Sequence, residues 1–184
     1  MNIRLQLLAA QVLLAACRTA AAQCANAVQP SCGVYDECFA KYCPCKGDPA
    51  EYFLSYGKKY CTNFLSNTSF TAAGKKWRDA TLVCLQEKIV PHLDISSAPK
   101  CNCAAMRATA FNAHVACYTQ PYASICDLPV ADLNEIRKVI DKQDLLSSEG
   151  WNQMRDVAAI CAFKAPNDGR RATWKAADAA LKLR

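Results

Sequence analysis

Residues 103–118 read CAAMRATAFNAHVACY, and this stretch places a cysteine at each end of one predicted helical face. The face is formed by Cys103, Met106, Ala110, His114 and Cys117. Steps of three and four residues are typical of an amphipathic α-helix, and at about 3.6 residues per turn Cys117 returns almost beneath Cys103. Because cysteine takes positions that leucine or isoleucine usually hold, the pattern predicts a helix stapled to its neighbours through sulfur.

Two further helices are predicted upstream of this segment. Asp48 and Glu51 have the spacing of a capping box, with a proline at the first helical position, and predict a helix over residues 49–65. Thr71 can cap the next helix, which Pro91 ends because proline cannot continue a helix. Their apolar positions are Phe53, Tyr56, Tyr60 and Phe64 in the first helix, and Trp77, Cys84 and Leu85 in the second.

Three more helical patterns follow downstream. One begins near Pro129, one begins at Ser147 or Ser148, and the last starts at Arg170-Arg171, a pair that could alternatively be a dibasic processing site. Their apolar positions are Leu133, Ile136 and Ile140, then Trp151, Met154, Val157 and Cys161, and finally Trp174, Ala177 and Leu181. No stretch sustains a two-residue alternation, so we expect an all-α, single-domain helical bundle stapled by disulfides.

Residues 1–22 have the features of a secretory signal peptide: one early charge, an apolar stretch and a final triplet of small residues. Cleavage there leaves a disulfide-rich domain over residues 23–164 and a short basic tail over residues 165–184. No other stretch approaches the roughly 20 apolar residues that cross a bilayer, so we expect a secreted, extracellular protein. As an alternative, the motif ending at Cys17 also fits a bacterial lipoprotein box, in which this cysteine would be lipidated.

The chain has 13 cysteines, all but one of them beyond the predicted leader. In an exported protein such cysteines predict disulfides, because the oxidising exterior lets them form and persist. Cys43 with Cys45 and Cys101 with Cys103 could alternatively supply four thiolates to a metal. Zinc ligands are usually separated by about two to four residues, and redox dithiols by about two, so the single residue within each pair fits neither site well. We expect no metal and no cofactor.

Other candidate sites are few. Asn67-Thr68-Ser69 is an N-glycosylation sequon in a polar connection, with an unmodified polar loop as the alternative. Neither His92 nor His114 lies in a recognisable nucleophile motif, so we expect no enzyme activity. For His114 we expect a hydrogen-bonded, half-buried structural side chain.

The charge of the chain is modest and dispersed. The formal net charge is +6, and it falls to +4 when Arg4 and Arg18 leave with the leader. No long basic run or aromatic-interleaved patch occurs, so nucleic acid is not an expected partner. No acidic loop has the form of an EF-hand, so a role in calcium physiology would not require a bound ion.

Several segments share a spacing that is known from one family. They are FTAAGKKW at residues 70–77 followed by Cys84, CTNFL at residues 61–65, Cys117-Tyr118 with thirteen residues between Cys103 and Cys117, and Trp151-Asn152 ten residues before Cys161. Together they resemble the stanniocalcins, which are secreted, disulfide-rich glycoprotein hormones, and the resemblance spans Cys24 to Cys161. Cys45 and Cys101 have no evident counterpart in that family.

The resemblance implies an order of disulfides that the spacing alone does not choose. The implied pairs are Cys24 with Cys38, Cys32 with Cys61, Cys43 with Cys103, Cys84 with Cys117, and Cys126 with Cys161. Cys45 and Cys101 would then pair with each other. The family's interchain cysteine has no match here, so we expect no covalent dimer made in that way. A non-covalent homodimer through exposed apolar residues such as Trp174 remains open.

The resemblance also implies a function. It indicates a hormone-like signalling glycoprotein linked to calcium and phosphate homeostasis, with an extracellular receptor or protease as partner. The alternative is a secreted cysteine-rich structural or defence protein without hormone activity. An enzyme is the third class, for which the sequence offers no constellation of residues.

Overall fold

The computed structural model describes Cys24 and residues 31–182. The predicted signal peptide and Cys17 lie outside these residues. The described chain forms eight α-helices and no strand, which confirms the all-α, disulfide-stapled bundle. The helices are α1 (Ala40–Tyr42), α2 (Lys59–Ser66), α3 (Ala72–Ile89), α4 (Cys103–Tyr118), α5 (Val130–Val139), α6 (Lys142–Leu145), α7 (Ser148–Lys164) and α8 (Asp168–Leu181).

Four short helical turns complete the architecture. Two π-helical segments, Tyr35–Phe39 and Phe53–Lys58, lead into α1 and α2, and two 3₁₀ turns span Val90–His92 and Ile125–Asp127. The first 3₁₀ turn contains Pro91, so α3 ends where the sequence predicts.

Side-chain caps set the starts of the long helices. Thr71 Oγ1 accepts a hydrogen bond from the N–H of Gly74 at 3.2 Å, which confirms the predicted cap of α3. Ser147 Oγ does the same for the N–H of Gly150 at 3.1 Å, and this decides between the two serines proposed for α7. Asn102 caps α4, a role that the sequence analysis did not assign.

The helix predicted over residues 49–65 begins later than expected. Asp48 accepts a hydrogen bond from the N–H of Ala50 at 2.7 Å, so the chain turns at this point. The Glu51 carboxylate then accepts from the N–H groups of Leu54 and Ser55, each at 2.8 Å. Because Glu51 reaches forward and not back towards Asp48, the capping box does not form, and helical structure starts at Phe53.

The core surrounds α4, which packs against α3 and α7. Trp77 of α3 and Phe39 and Phe53 of the amino-terminal segments are completely buried in the same core. The last helix, α8, lies along α7, and its Trp174 packs against the core and donates a hydrogen bond to the Cys126 carbonyl at 3.4 Å. Trp174 is therefore half-buried and not exposed as expected, while the non-covalent homodimer stays a prediction.

Candidate functional site

Six disulfides staple the helical segments together, and they use every cysteine in the part of the chain that the structure describes. Four of them are the pairs that the family resemblance implies: Cys24–Cys38, Cys32–Cys61, Cys84–Cys117 and Cys126–Cys161. Cys84–Cys117 joins α3 to α4, and Cys126–Cys161 joins a 3₁₀ turn to α7. Cys103, at the other end of α4, is bonded to Cys45, so the two ends of this helix are tied to different segments.

The remaining two bridges differ from the implied order. Cys43 is bonded to Cys101 and Cys45 is bonded to Cys103, each across a sequence separation of 58 residues. The implied pairs, Cys43 with Cys103 and Cys45 with Cys101, are corrected by this arrangement. The physical reason is the relative direction of the two Cys-x-Cys segments. They lie side by side so that the first cysteine of one segment faces the first cysteine of the other, and the second faces the second.

The four sulfurs of these two bridges form one compact cluster. Besides its bonded partner, Cys45 Sγ lies 3.6 Å from Cys43 Sγ and 3.8 Å from Cys101 Sγ. The sulfurs of Cys43, Cys45 and Cys101 are all within 4.8 Å of one another, so three reduced thiolates here would be close enough to hold one metal ion. In the oxidised state each of these sulfurs forms a disulfide bond, and a disulfide sulfur is not the thiolate that a metal requires.

Asn67 lies in the connection between α2 and α3, as predicted for an accessible sequon. Thr68 and Ser69 are exposed, and Asn67 itself is half-buried. Its Nδ2, the atom to which a glycan would be attached, donates a hydrogen bond to Glu135 at 3.2 Å. Glu135 also binds Lys138 Nζ at 2.6 Å, and this contact lowers the pKa of the Glu135 carboxyl. A glycan would therefore displace one hydrogen bond without leaving Glu135 unpaired.

His114 is a structural residue in the middle of α4. Its Nδ1 lies 2.7 Å from the Ala110 carbonyl oxygen, which confirms the predicted hydrogen bond. The side chain is only 2% exposed, so it is fully buried and not half-buried as expected. Its ring stacks on Phe111 and meets Tyr118 edge-on. Burial lowers the pKa of His114 to about 4, and the imidazole is consequently neutral at physiological pH.

The described residues also line a partly open cavity that the sequence patterns did not predict. It measures about 300 Å³ and lies between α5, α7 and α8. The walls include Leu133 and Ile136 of α5, Met154 and Val157 of α7, and Trp174 and Leu181 of α8. Each of these residues was assigned to an apolar helix face. The available signal was Ala177, a small residue between Trp174 and Leu181, which leaves space where a large side chain would fill the gap.

No protein-family model, curated protein or solved structure matches this chain. Within the described residues, no helix combines the length and apolar character needed to cross a membrane. The arguments for function therefore rest on the disulfide framework, the surface and the cavity.

Proposed function

We propose that this chain is a secreted, stanniocalcin-like signalling glycoprotein that presents a disulfide-stabilised helical surface to an extracellular receptor or protease. The observation that carries the proposal is the order of the bridges. Four of the six join the cysteines that the resemblance to stanniocalcins implies, including Cys84–Cys117 between α3 and α4. Disulfides of this number persist in an oxidising compartment, which supports export.

The chemistry of the interior also favours a binding role over an enzymatic one. His114 is neutral and closed in by aromatic rings, and its Nδ1 faces the Ala110 carbonyl. A general base must reach a proton on a substrate or nucleophile, and a buried histidine in this position does not. We propose that the protein acts through its surface, with a glycan at Asn67 next to the start of α3.

The proposal is tested by expressing the full chain in a eukaryotic secretory cell line and purifying the oxidised protein from the medium. We expect the protein in the medium and a mobility shift after enzymatic removal of N-glycans, which the Asn67→Gln variant abolishes. Labelled protein should bind saturably to responsive epithelial cells and change their calcium or phosphate uptake. Reduced and alkylated protein is the matched control and should neither bind nor act.

A cysteine-rich structural or defence protein predicts a different result. In that case the secreted protein binds no cell saturably and changes no ion uptake, while it is retained in the extracellular matrix or inhibits microbial growth. Secretion followed by this pattern would contradict the signalling role and leave the extracellular location in place. Absence of the protein from the medium would contradict both.

A further inference from the structure

The cavity between α5, α7 and α8 is larger than a packing defect. Its volume is about 300 Å³, whereas protein interiors hold few voids larger than a water molecule. Sites for small molecules begin at about this size. Its walls are mainly aliphatic and aromatic side chains. An occupant must therefore present an apolar surface, because a polar group buried here without a partner is costly.

Two charged side chains reach the wall of the cavity, and only one of them is neutralised by the protein. Asp144 accepts a hydrogen bond from the Tyr60 hydroxyl and lies 3.3 Å from Lys59 Nζ. Arg137 lies in the last turn of α5 with its side chain exposed at the rim. Across residues 31–182 and Cys24, no carboxylate or other acceptor pairs with its guanidinium.

We infer that this cavity binds a single-chain aliphatic monocarboxylate of the fatty-acid type, with the hydrocarbon between the helices and the carboxylate on Arg137. The apolar walls select the chain, and the unpaired guanidinium selects the headgroup, since arginine and carboxylate form two parallel charge-assisted hydrogen bonds. A neutral lipid lacks the negative charge needed for this pairing with Arg137. This site does not depend on the proposed signalling role.

The first test measures the affinity of the delipidated, oxidised full chain for saturated monocarboxylates from octanoate to hexadecanoate by calorimetry. Each added methylene should lower the Kd by about threefold to fourfold until the chain exceeds the cavity. The methyl ester of dodecanoate has the same chain without the charge, and it should bind about tenfold more weakly than dodecanoate.

Two variants with matched controls locate the site. Arg137→Gln should weaken dodecanoate binding by about tenfold and leave the methyl ester unchanged, whereas Lys76→Gln removes an equal charge from the exposed face of α3 and should change neither. Ala177→Trp places a large side chain in the cavity and should abolish binding. Ala176→Trp makes the same substitution on the exposed face of α8 and should bind normally.

Three results would overturn the inference. One is that no chain length binds to the wild-type protein. Another is that acid and ester bind equally, or that Arg137→Gln weakens both alike, because the carboxylate assignment then fails. The third is full binding by a folded Ala177→Trp variant, which would place the ligand elsewhere. If Ala177→Trp does not fold, the comparison of Arg137→Gln with Lys76→Gln still decides, since both positions are on the surface.

Discussion

Asp132 of α5 lies across the amino terminus of α3 and accepts two hydrogen bonds from Thr71. One comes from the Thr71 N–H at 2.9 Å and the other from the Thr71 hydroxyl at 2.6 Å. Asp132 is completely buried, and a buried carboxylate is stable only when it is hydrogen-bonded. The positive end of the α3 dipole adds to its stability. The contact fixes α5, one wall of the cavity, against the core.

The same contact explains the glycine at position 74 and provides the first prediction. A Cβ at Gly74 would lie 2.5 Å from the Asp132 carboxylate, closer than real atoms approach. We expect Gly74→Ala to lower the free energy of unfolding by about 2 to 4 kcal/mol, because Asp132 must move and lose its bonds to Thr71. Guanidinium unfolding of the oxidised protein followed by circular dichroism measures the change.

Gly169→Ala is the matched control for this substitution. Gly169 lies in the first turn of α8, and a Cβ there would be 3.6 Å from the closest atom, which is an ordinary contact. Alanine in a helix should leave stability unchanged or raise it by about 0.5 to 1 kcal/mol. Equal loss of stability in the two variants would refute the role given to Asp132.

The second prediction concerns His114 and the dependence of stability on pH. The pKa of His114 is about 4 in the folded protein, whereas the pKa of an unperturbed histidine is about 6.5. Between these pH values the unfolded chain binds a proton that the folded protein does not, so stability falls as the pH drops from 6.5 to about 4. The difference in the pKa of His114 contributes about 3 kcal/mol to the free energy of unfolding. This contribution is fully present above pH 6.5 and is lost as the pH falls to about 4.

His114→Leu removes the imidazole that binds this proton in the unfolded chain. The variant should therefore show a smaller difference in the free energy of unfolding between pH 7 and pH 4.5. Carboxylates titrate in the same pH range. The informative quantity is therefore the difference in the free energy of unfolding between the variant and the parent protein at each pH. His92→Gln is the control, since it removes the other histidine of the chain, which is exposed in a 3₁₀ turn. An unchanged profile in His114→Leu would contradict burial of the neutral imidazole.

The third prediction is that the secreted protein contains no free thiol and has the bridges Cys43–Cys101 and Cys45–Cys103. Alkylation without reductant, followed by mass spectrometry, should label no cysteine. Trypsin leaves Cys43 and Cys45 on one peptide and Cys101 and Cys103 on another, so both pairings give the same linked mass. Partial reduction with fragmentation between Cys43 and Pro44 separates them. A fragment joining Cys43 to Cys103 would contradict the structure.

The fourth prediction compares two ways of losing one bridge. Cys117→Ser leaves Cys84 unpaired, and a free thiol in the oxidising secretory pathway attacks other disulfides. We expect this variant to be retained in the cell as mixed disulfides, visible on non-reducing gels.

The double variant Cys45→Ser with Cys103→Ser removes a bridge without creating a free thiol. Cys43–Cys101 still ties the same two segments, so we expect normal secretion and a loss of about 2 kcal/mol or less. The pair Cys45 with Cys101 is not a matched control, because it removes one partner from each of two bridges. Equal secretion of Cys117→Ser and the double variant would refute the central role of the bridge between α3 and α4.

The amino-acid sequence by itself determined the class of the fold and most of its helices. Side-chain caps and proline act within a few residues, so Thr71, Ser147 and Pro91 set helix ends that local chemistry predicts. The face of α4 follows equally from its period, since Met106, Ala110, His114 and Cys117 are buried. Glu51 is the local exception. Its carboxylate could accept from the N–H of Asp48, as the capping box predicts, or from the N–H groups of Leu54 and Ser55, as the structure has it.

Only the tertiary structure decided how the helices meet. Two Cys-x-Cys segments allow a parallel or a crossed pairing at the same spacing, and the relative direction of the segments chooses Cys43–Cys101 with Cys45–Cys103. The cavity beside Trp174 likewise depends on the distance between α5, α7 and α8, which no local pattern encodes. The physical reason is range: helix period and capping are set by neighbouring residues, whereas bridge order and empty volume depend on side chains far apart in the chain.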